Sequence, residues 1–179
     1  HGNQGEHSVA IGASAGECTQ GSNAVAIGLN AGQEGQNTAA VAIGYTAGKS
    51  IQGADAVAIG YTAGVTSQGN AAVAVGRSAG SLNQPANSIA IGNAALADGS
   101  NAIDGTIVLN GTGVSFPTLP NTVTEPGFFV SPVRYSDTPF TYMVGYDNVT
   151  GEIMFSENDG GDGVQNDVMI FNRGRLLFS

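Results

Sequence analysis

The nine residues AVAIGYTAG occur twice in this chain, at 40–48 and again at 56–64. The two copies begin sixteen residues apart, and related stretches continue this spacing on both sides. The six aligned copies are SVAIGASAG from Ser8, AVAIGLNAG from Ala24, AVAIGYTAG from Ala40 and Ala56, AVAVGRSAG from Ala72 and SIAIGNAAL from Ser88. A period that is kept over six copies indicates stacked supersecondary units, so the sequence predicts a repeat protein.

Each copy alternates large and small apolar residues, which is typical of a strand that sends successive side chains to opposite faces. Sixteen residues suffice for two short strands and two turns, which make one thin coil of a parallel β-solenoid with a rise of roughly 4.8 Å per coil. One face is expected to carry Ala26, Gly28, Ala42, Gly44 and their equivalents. The other face is expected to carry an aliphatic stripe made of Val25, Ile27, Val41, Ile43, Val57, Ile59, Val73, Val75, Ile89 and Ile91.

Two further columns of the alignment support stacking in register. A glycine recurs at Gly16, Gly32, Gly48, Gly64 and Gly80, as expected where the backbone takes a positive φ or packs closely at a corner. A glutamine recurs at Gln20, Gln36, Gln52, Gln68 and Gln84. We expect this glutamine column to form a hydrogen-bonded amide ladder rather than a ligand site.

The aliphatic stripe raises a problem for a single chain. An interior this thin is expected to hold Ala and Gly only, so the stripe would face water unless something covers it. A continuous apolar stripe of this size marks an interface. We therefore expect identical chains to cover it for one another around a cyclic axis; burial within one chain is the alternative.

Composition excludes several classes of partner. The formal net charge is -9 and the chain has only five Lys and Arg residues, so it has no basic stripe for nucleic acid or for an anionic membrane. It contains no run of about 18 apolar residues, as a membrane-spanning helix requires. Cys18 is the only cysteine, which excludes an intrachain disulfide and a multi-cysteine metal site.

The motifs that suggest chemistry each have a simpler interpretation. The stretch GYTAGKS at 44–50 resembles the end of a P-loop, but three residues instead of four separate its glycines. His1 and His7 are the only histidines, and both lie at the start of the chain. The acidic residues from Glu157 to Asp162 could bind Ca²⁺, but a solvated turn is favoured. We expect no enzyme activity, no catalytic residues, no cofactor and no metal.

Tyr45, Tyr61 and Arg77 occupy the variable position that follows the strand glycine, where the other copies have Ala13, Leu29 and Asn93. Variation at a fixed place in a regular repeat suggests a solvent-facing column, and aromatic residues with arginine are typical of binding hot spots. These three residues are candidate contacts for a receptor or a glycan. The alternative is that they are ordinary surface residues stacked on one another.

The residues NSIAIG at 87–92 and the AVAIG copies resemble the head repeats of trimeric autotransporter adhesins, the YadA-like heads. The resemblance covers residues 8 to about 103. It implies a left-handed parallel β-roll that assembles as a homotrimer, lies outside the cell at a cell or virion surface, and binds a host-surface protein or glycan. Four of the six copies begin with Ala where the family has Ser, and the chain shows neither a heptad stalk nor a barrel anchor.

The stretch from 127 to 157 resembles a segment of phage tail fibres and large-virus fibre proteins. Alternation on both sides of the residues from Asn148 to Gly151 predicts a β-hairpin, and VMIFNRGRLLF is expected to form a last strand. The expected domains are a repeat domain at 1–103, an extended connector at 104–126 and a β-rich fibre domain at 127–179. This second resemblance favours a viral or phage fibre, and a bacterial adhesin remains open.

The sequence therefore predicts a structural attachment protein, a trimeric fibre or adhesin without catalysis. One alternative is a left-handed β-helix acyltransferase, although such enzymes use a hexapeptide rhythm with three strands per coil. Another is an ice-binding solenoid, which needs a regular Thr ladder. The corresponding column here is mixed and consists of Ser14, Asn30, Thr46, Thr62, Ser78 and Ala94.

Overall fold

A computed structural model describes residues 4–99, 102–112, 127–131, 142–146, 153–157, 171–172 and 175–176. The chain divides into two units, His1–Val133 and Arg134–Ser179. All regular elements of the described residues are β-strands. The first unit contains a β-solenoid of about six turns, as the period of the sequence predicts.

One parallel sheet of eight strands runs along the whole solenoid, and its strands stack in sequence order. In chain-order numbering, these strands are β1 (Val9–Ile11), β3 (Val25–Ile27), β5 (Val41–Ile43), β7 (Val57–Ile59), β9 (Val73–Val75), β10 (Ile89–Gly92), β11 (Ile107–Asn110) and β12 (Phe128–Ser131). Within the repeats each residue pairs with the residue sixteen positions later, as Val25 pairs with Val41 and Val57 with Val73. The repeat of the sequence is therefore the repeat of the stack.

The second sheet supplies the other strand of each coil. Its four parallel strands are β2 (Cys18–Gln20), β4 (Glu34–Gln36), β6 (Ser50–Gln52) and β8 (Thr66–Gln68). They keep the same sixteen-residue register, as Gln36 pairs with Gln52. Bridges from Thr66 to Leu82 and from Leu82 to Asp98 continue this side of the stack past β8.

The interior between the two sheets is lined mainly by alanine. In the eight-stranded sheet, the central alanine of β3, β5, β7, β9 and β10 is fully buried. A second column of buried alanines lies in the turn that follows each of these strands. These residues are Ala26, Ala42, Ala58, Ala74 and Ala90 in the strands, and Ala31, Ala47, Ala63, Ala79 and Ala95 in the turns. The strands send Ala inward and Val or Ile outward, as the alternation predicts.

Glutamine also lies inside, so the expectation of an interior for Ala and Gly alone was wrong. The side chains of the glutamine column are at most 2 % exposed. The Nε2 atom of Gln52 donates to the carbonyl of Val41 at 2.8 Å and to Oε1 of Gln68 at 3.2 Å, and Gln36 donates to Oε1 of Gln52 at 3.1 Å. Gln68 donates to Gln84 in the same way. The expected amide ladder is thus present from coil to coil, and its hydrogen bonds allow a polar side chain to be buried.

A glycine four residues before each glutamine makes room for its amide. Gly48 has a φ of +54°, and a Cβ atom on it would lie 2.6 Å from Oε1 of Gln52. The sixth copy has Leu96 in the place of this glycine and Ser100 in the place of the glutamine. Leu96 is 4 % exposed and belongs to the core cluster. The glycine and the glutamine are therefore coupled, because the chain loses both in the same coil.

The sheet continues beyond the last copy of the repeat. β11 pairs with β10 in parallel, and β12 pairs with β11. β11 lies within the range expected to be an extended connector, and β12 lies at the start of the range expected to be a fibre domain. Their inward residues are larger than alanine: Val108 is fully buried, and Phe129 packs against the core cluster.

The second unit contains two antiparallel strand pairs among its described residues. β13 (Tyr142–Tyr146) pairs with β14 (Ile153–Glu157), which agrees with the predicted hairpin. β15 (Phe171–Asn172) pairs with β16 (Arg175–Leu176). The described residues of the expected last strand thus form an antiparallel pair rather than one strand.

Glycine can be required in the coil by a left-handed backbone or by lack of space for a Cβ atom, and a pair of alanine substitutions separates these two reasons. Gly35 has a φ of +70°, but the nearest atom to an added Cβ would be 3.9 Å away. Gly35→Ala should destabilise the protein by about 1–2 kcal/mol for the left-handed backbone alone. Gly48→Ala should cost ~1–3 kcal/mol more, because its methyl group also crowds the Gln52 amide. Urea denaturation followed by circular dichroism measures both, and equal losses would contradict the crowding.

The glutamine ladder can be tested at its middle position. Gln52→Met keeps the length of the side chain but removes its hydrogen bonds to Val41, Gln36 and Gln68. The loss of buried partners should lower the free energy of unfolding by about 1–3 kcal/mol. Gln33→Met is the matched control, because the Gln33 amide is only half-buried and donates to the half-buried carboxylate of Glu17, and it should change stability by less than about 0.5 kcal/mol. Equal effects in urea denaturation would rule out a structural role for the ladder.

Candidate functional site

The first candidate surface is the outward face of the eight-stranded sheet, here called the apolar stripe. It consists of two columns, one at the first and one at the third residue of each strand. The first column is Val9, Val25, Val41, Val57, Val73, Ile89, Ile107 and Phe128, and the second is Ile11, Ile27, Ile43, Ile59, Val75, Ile91, Leu109 and Val130. Parallel pairing in register places each column in a continuous row along the stack.

The stripe is only partly covered within the chain. Most of its residues are half-buried by their neighbours in the same column, whereas Ile59 is 37 % and Ile91 is 42 % exposed. Exposure is greatest at the two ends, where Ile11 reaches 58 % and Phe128 reaches 56 %. None of the ten predicted stripe residues is buried in the interior of its own chain.

The part of the stripe that lies beyond residue 103 was not predicted from the sequence. Ile107 and Leu109 on β11, and Phe128 and Val130 on β12, continue the two columns after the repeat has ended. The available signal was the short apolar run in TIVLN at 106–110 and in GFFVS at 127–131. It was hidden because the inward residues of these strands are no longer alanine.

The second candidate surface is the column of turn residues formed by Tyr45, Tyr61 and Arg77. The structure brings all three together on successive coils. The rings of Tyr45 and Tyr61 are stacked with centroids 5.0 Å apart and an interplanar angle of 9°, and the guanidinium carbon of Arg77 lies 5.8 Å from the centroid of Tyr61. The spacing of the rings follows from the coil repeat of about 4.8 Å.

The stack determines which parts of these side chains a ligand could reach. Tyr61 lies between Tyr45 on the preceding coil and Arg77 on the following coil, so one ring face stacks on Tyr45 and the other faces the Arg77 guanidinium. Tyr45 and Tyr61 remain 45 % and 51 % exposed, and Leu29, on the preceding coil, is 44 % exposed. A ligand at Tyr61 would therefore meet the ring edge, the hydroxyl group and the cation rather than an open ring face.

Some polar contacts between coils involve acidic side chains at or next to the second sheet. The amide of Gln33 donates to the carboxylate of Glu17 at 2.8 Å, which lowers the pKa of Glu17, and a hydrogen bond from Ser14 acts in the same direction. Ser50 donates to the carboxylate of Glu34 at 3.3 Å. These acidic groups lie at or next to the strands of the second sheet, whereas the strands of the apolar stripe contain no charged residue.

The other motifs take ordinary places in the coil. The P-loop-like stretch at 44–50 is the turn between β5 and β6, and its equivalent recurs between β7 and β8. His7 is exposed, and Cys18 is an exposed free thiol. His1 and the acidic residues that follow Glu157 lie outside the described residues.

Two structural searches of the described part of the chain gave negative results. No three His, Cys, Asp or Glu side chains in this part lie close enough together to hold a metal ion. No helix in the same residues is long and apolar enough to cross a membrane.

Comparison with known proteins assigns no family to the chain. No protein-family model, no curated protein and no solved structure matches it.

Proposed function

We propose that the chain is a structural attachment protein, in which three copies of a left-handed β-roll form a rigid fibre or adhesin at a cell or virion surface. The fibre binds a host-surface protein or glycan and performs no catalysis. The observation that carries this proposal is the apolar stripe, which crosses all eight strands of one sheet and stays partly exposed in the single chain.

The outward residues of the stripe stay apolar in the strands that follow the last copy of the repeat. Along the inward column the residue changes from Ala90 to Val108 and then to Phe129. The outward columns remain aliphatic or aromatic over the same strands, with Ile107 and Val130 among them. An apolar outward face is therefore not a by-product of copying one motif, and a surface that must be covered explains it.

A second copy of the same chain is the partner that fits this surface. The net charge of -9 opposes association through most faces, but the stripe strands are free of charged residues. The stripe continues in register along the whole sheet, so parallel copies around an axis can cover it over its full length. Full burial of a Val or Ile side chain stabilises by about 1.5–3 kcal/mol, so completing the burial of two such residues in every coil gives a large total.

The attachment function rests on the turn column. Tyr45, Tyr61 and Arg77 are rigidly spaced, exposed, and of the residue types found at binding hot spots. Three copies would present three such columns on one rod, and simultaneous contacts increase the apparent affinity for a surface that carries many receptors. The resemblance to YadA-like heads and to fibre proteins agrees with this role.

The assembly is tested by light scattering after size exclusion. The wild-type chain should have a molar mass about three times 17.9 kDa. Ile43→Asp places a carboxylate in the middle of the stripe and should abolish the trimer. Ile51→Asp is the matched control, because Ile51 is 63 % exposed on the second sheet and has a positive φ that Asp tolerates. A monomeric wild type, or equal effects of the two variants, would disprove the assembly.

Binding is tested on a glycan array and on immobilised host-surface proteins. Tyr45→Ala combined with Tyr61→Ala should weaken binding by about tenfold or more, because both rings of the stack are lost. The trimer and the circular dichroism spectrum should be unchanged, since both side chains are exposed. Leu82→Ala removes a similarly exposed apolar side chain from the other side of the coil and should have no effect. Unaltered binding by the double variant would exclude the turn column as the contact.

A further inference from the structure

Copies that meet along the apolar stripe face a problem that the repeat creates. Neighbouring coils present nearly the same side chains: Val57 and Val73 are identical, and Ile59 differs from Val75 by one methylene group. If one copy slides by one coil, seven of its eight stripe strands still face a strand of the other copy. The repeating part of the stripe therefore holds copies together but does not fix their alignment along the axis.

The stripe departs from this uniformity at its C-terminal end. Phe128 is its only aromatic residue, stands in the column of Val and Ile, and is 56 % exposed. It pairs with Ile107 on the preceding strand. The neighbouring residue Phe129 points inward and packs against the alanine core, which anchors the strand that carries Phe128.

We infer that Phe128 fixes the axial register between copies of this chain. In the aligned assembly the Phe128 rings lie at the same height and pack on one another. After a slip of one coil, the ring of one copy faces the smaller Ile107 of its neighbour, and the ring of the neighbour has no strand opposite it. The inference rests on the proposed function, because it requires that the stripe is the interface between copies.

Disulfide mapping in mixed assemblies reports the register. All chains carry Cys18→Ser, which removes the only native thiol. Chains with Val57→Cys are mixed with chains with Val73→Cys, and a second mixture uses Ile59→Cys and Val75→Cys. A disulfide requires Cα atoms about 4.4–6.8 Å apart. A bond between two cysteines of the same residue number (equal positions) therefore reports aligned copies. A bond between cysteines sixteen residues apart (unequal positions) reports a slip of one coil.

In chains with Phe128, bonds between equal positions should exceed those between unequal positions by at least about tenfold. Phe128→Val makes the last strand resemble the repeat, and the excess should fall by about the same factor while light scattering still shows the trimer. Tyr61→Val removes an equally exposed aromatic ring outside the stripe and should leave the excess unchanged.

The outcomes separate the inference from the proposed function. An excess that Phe128→Val does not change overturns the role of Phe128, even if the trimer is confirmed. A trimer that forms no disulfide in either mixture overturns it as well, because the stripe is then not at the interface. A monomeric wild-type chain overturns the proposed function and, with it, the inference.

Discussion

The structure depends on the small distance between the two sheets of a sixteen-residue coil. The inward strand residue can be no larger than alanine in five successive strands, and Ala58 at the centre of the stack is fully buried. Alanine has little surface to bury, so the core of a single chain gives modest stabilisation for its length. The larger Val and Ile side chains must point outward, which places most of the apolar surface of the repeats on the outside.

Hydrogen bonding compensates in part for the thin apolar core. The glutamine column buries one amide in each of the first five coils, and Gln36, Gln52 and Gln68 each donate to the main chain of their own coil and to the next amide. A buried polar group that lacks its partners is destabilising, so each amide is favourable only when its neighbours are present. The ladder thus makes the coils interdependent along the axis, as expected for stacked repeats.

The sequence was sufficient to predict the coil length, the register of the strands and the outward direction of the stripe, because all three follow from a fixed period and from alternation. The φ of Gly48 and the glutamine ladder followed from columns in the same alignment. The left-handed backbone at Ile51 could not be predicted, because a β-branched residue disfavours it and only the stacked coils impose it. β12 was missed because its inward residue, Phe129, replaces the alanine by which the repeat is recognised.

The sequence predicted the spacing of the turn column, and stacking of its side chains on one another was the alternative to a binding role. Residues sixteen apart must lie on successive coils, so the proximity of Tyr45 and Tyr61 could be inferred from sequence. The parallel stack of their rings depends on side-chain rotamers, which the period does not determine. This stack changes the chemistry of the site, because one ring face of Tyr61 lies against Tyr45 and the other faces the Arg77 guanidinium.

A regular stack supplies many stabilising contacts but no feature that distinguishes one coil from the next. The departures from the repeat supply that feature. Identical coils offer equivalent contacts. A ligand or a second copy that contacts only identical coils therefore cannot distinguish one coil of the stack from another. Arg77 marks one level of the turn column, and Leu96 marks the coil where the glycine and glutamine columns end. Phe129 packs a large aromatic side chain against the core at the last strand of the sheet. Specific recognition by such a protein therefore has to involve the coils where the pattern is broken, while the unbroken coils hold those positions at fixed distances.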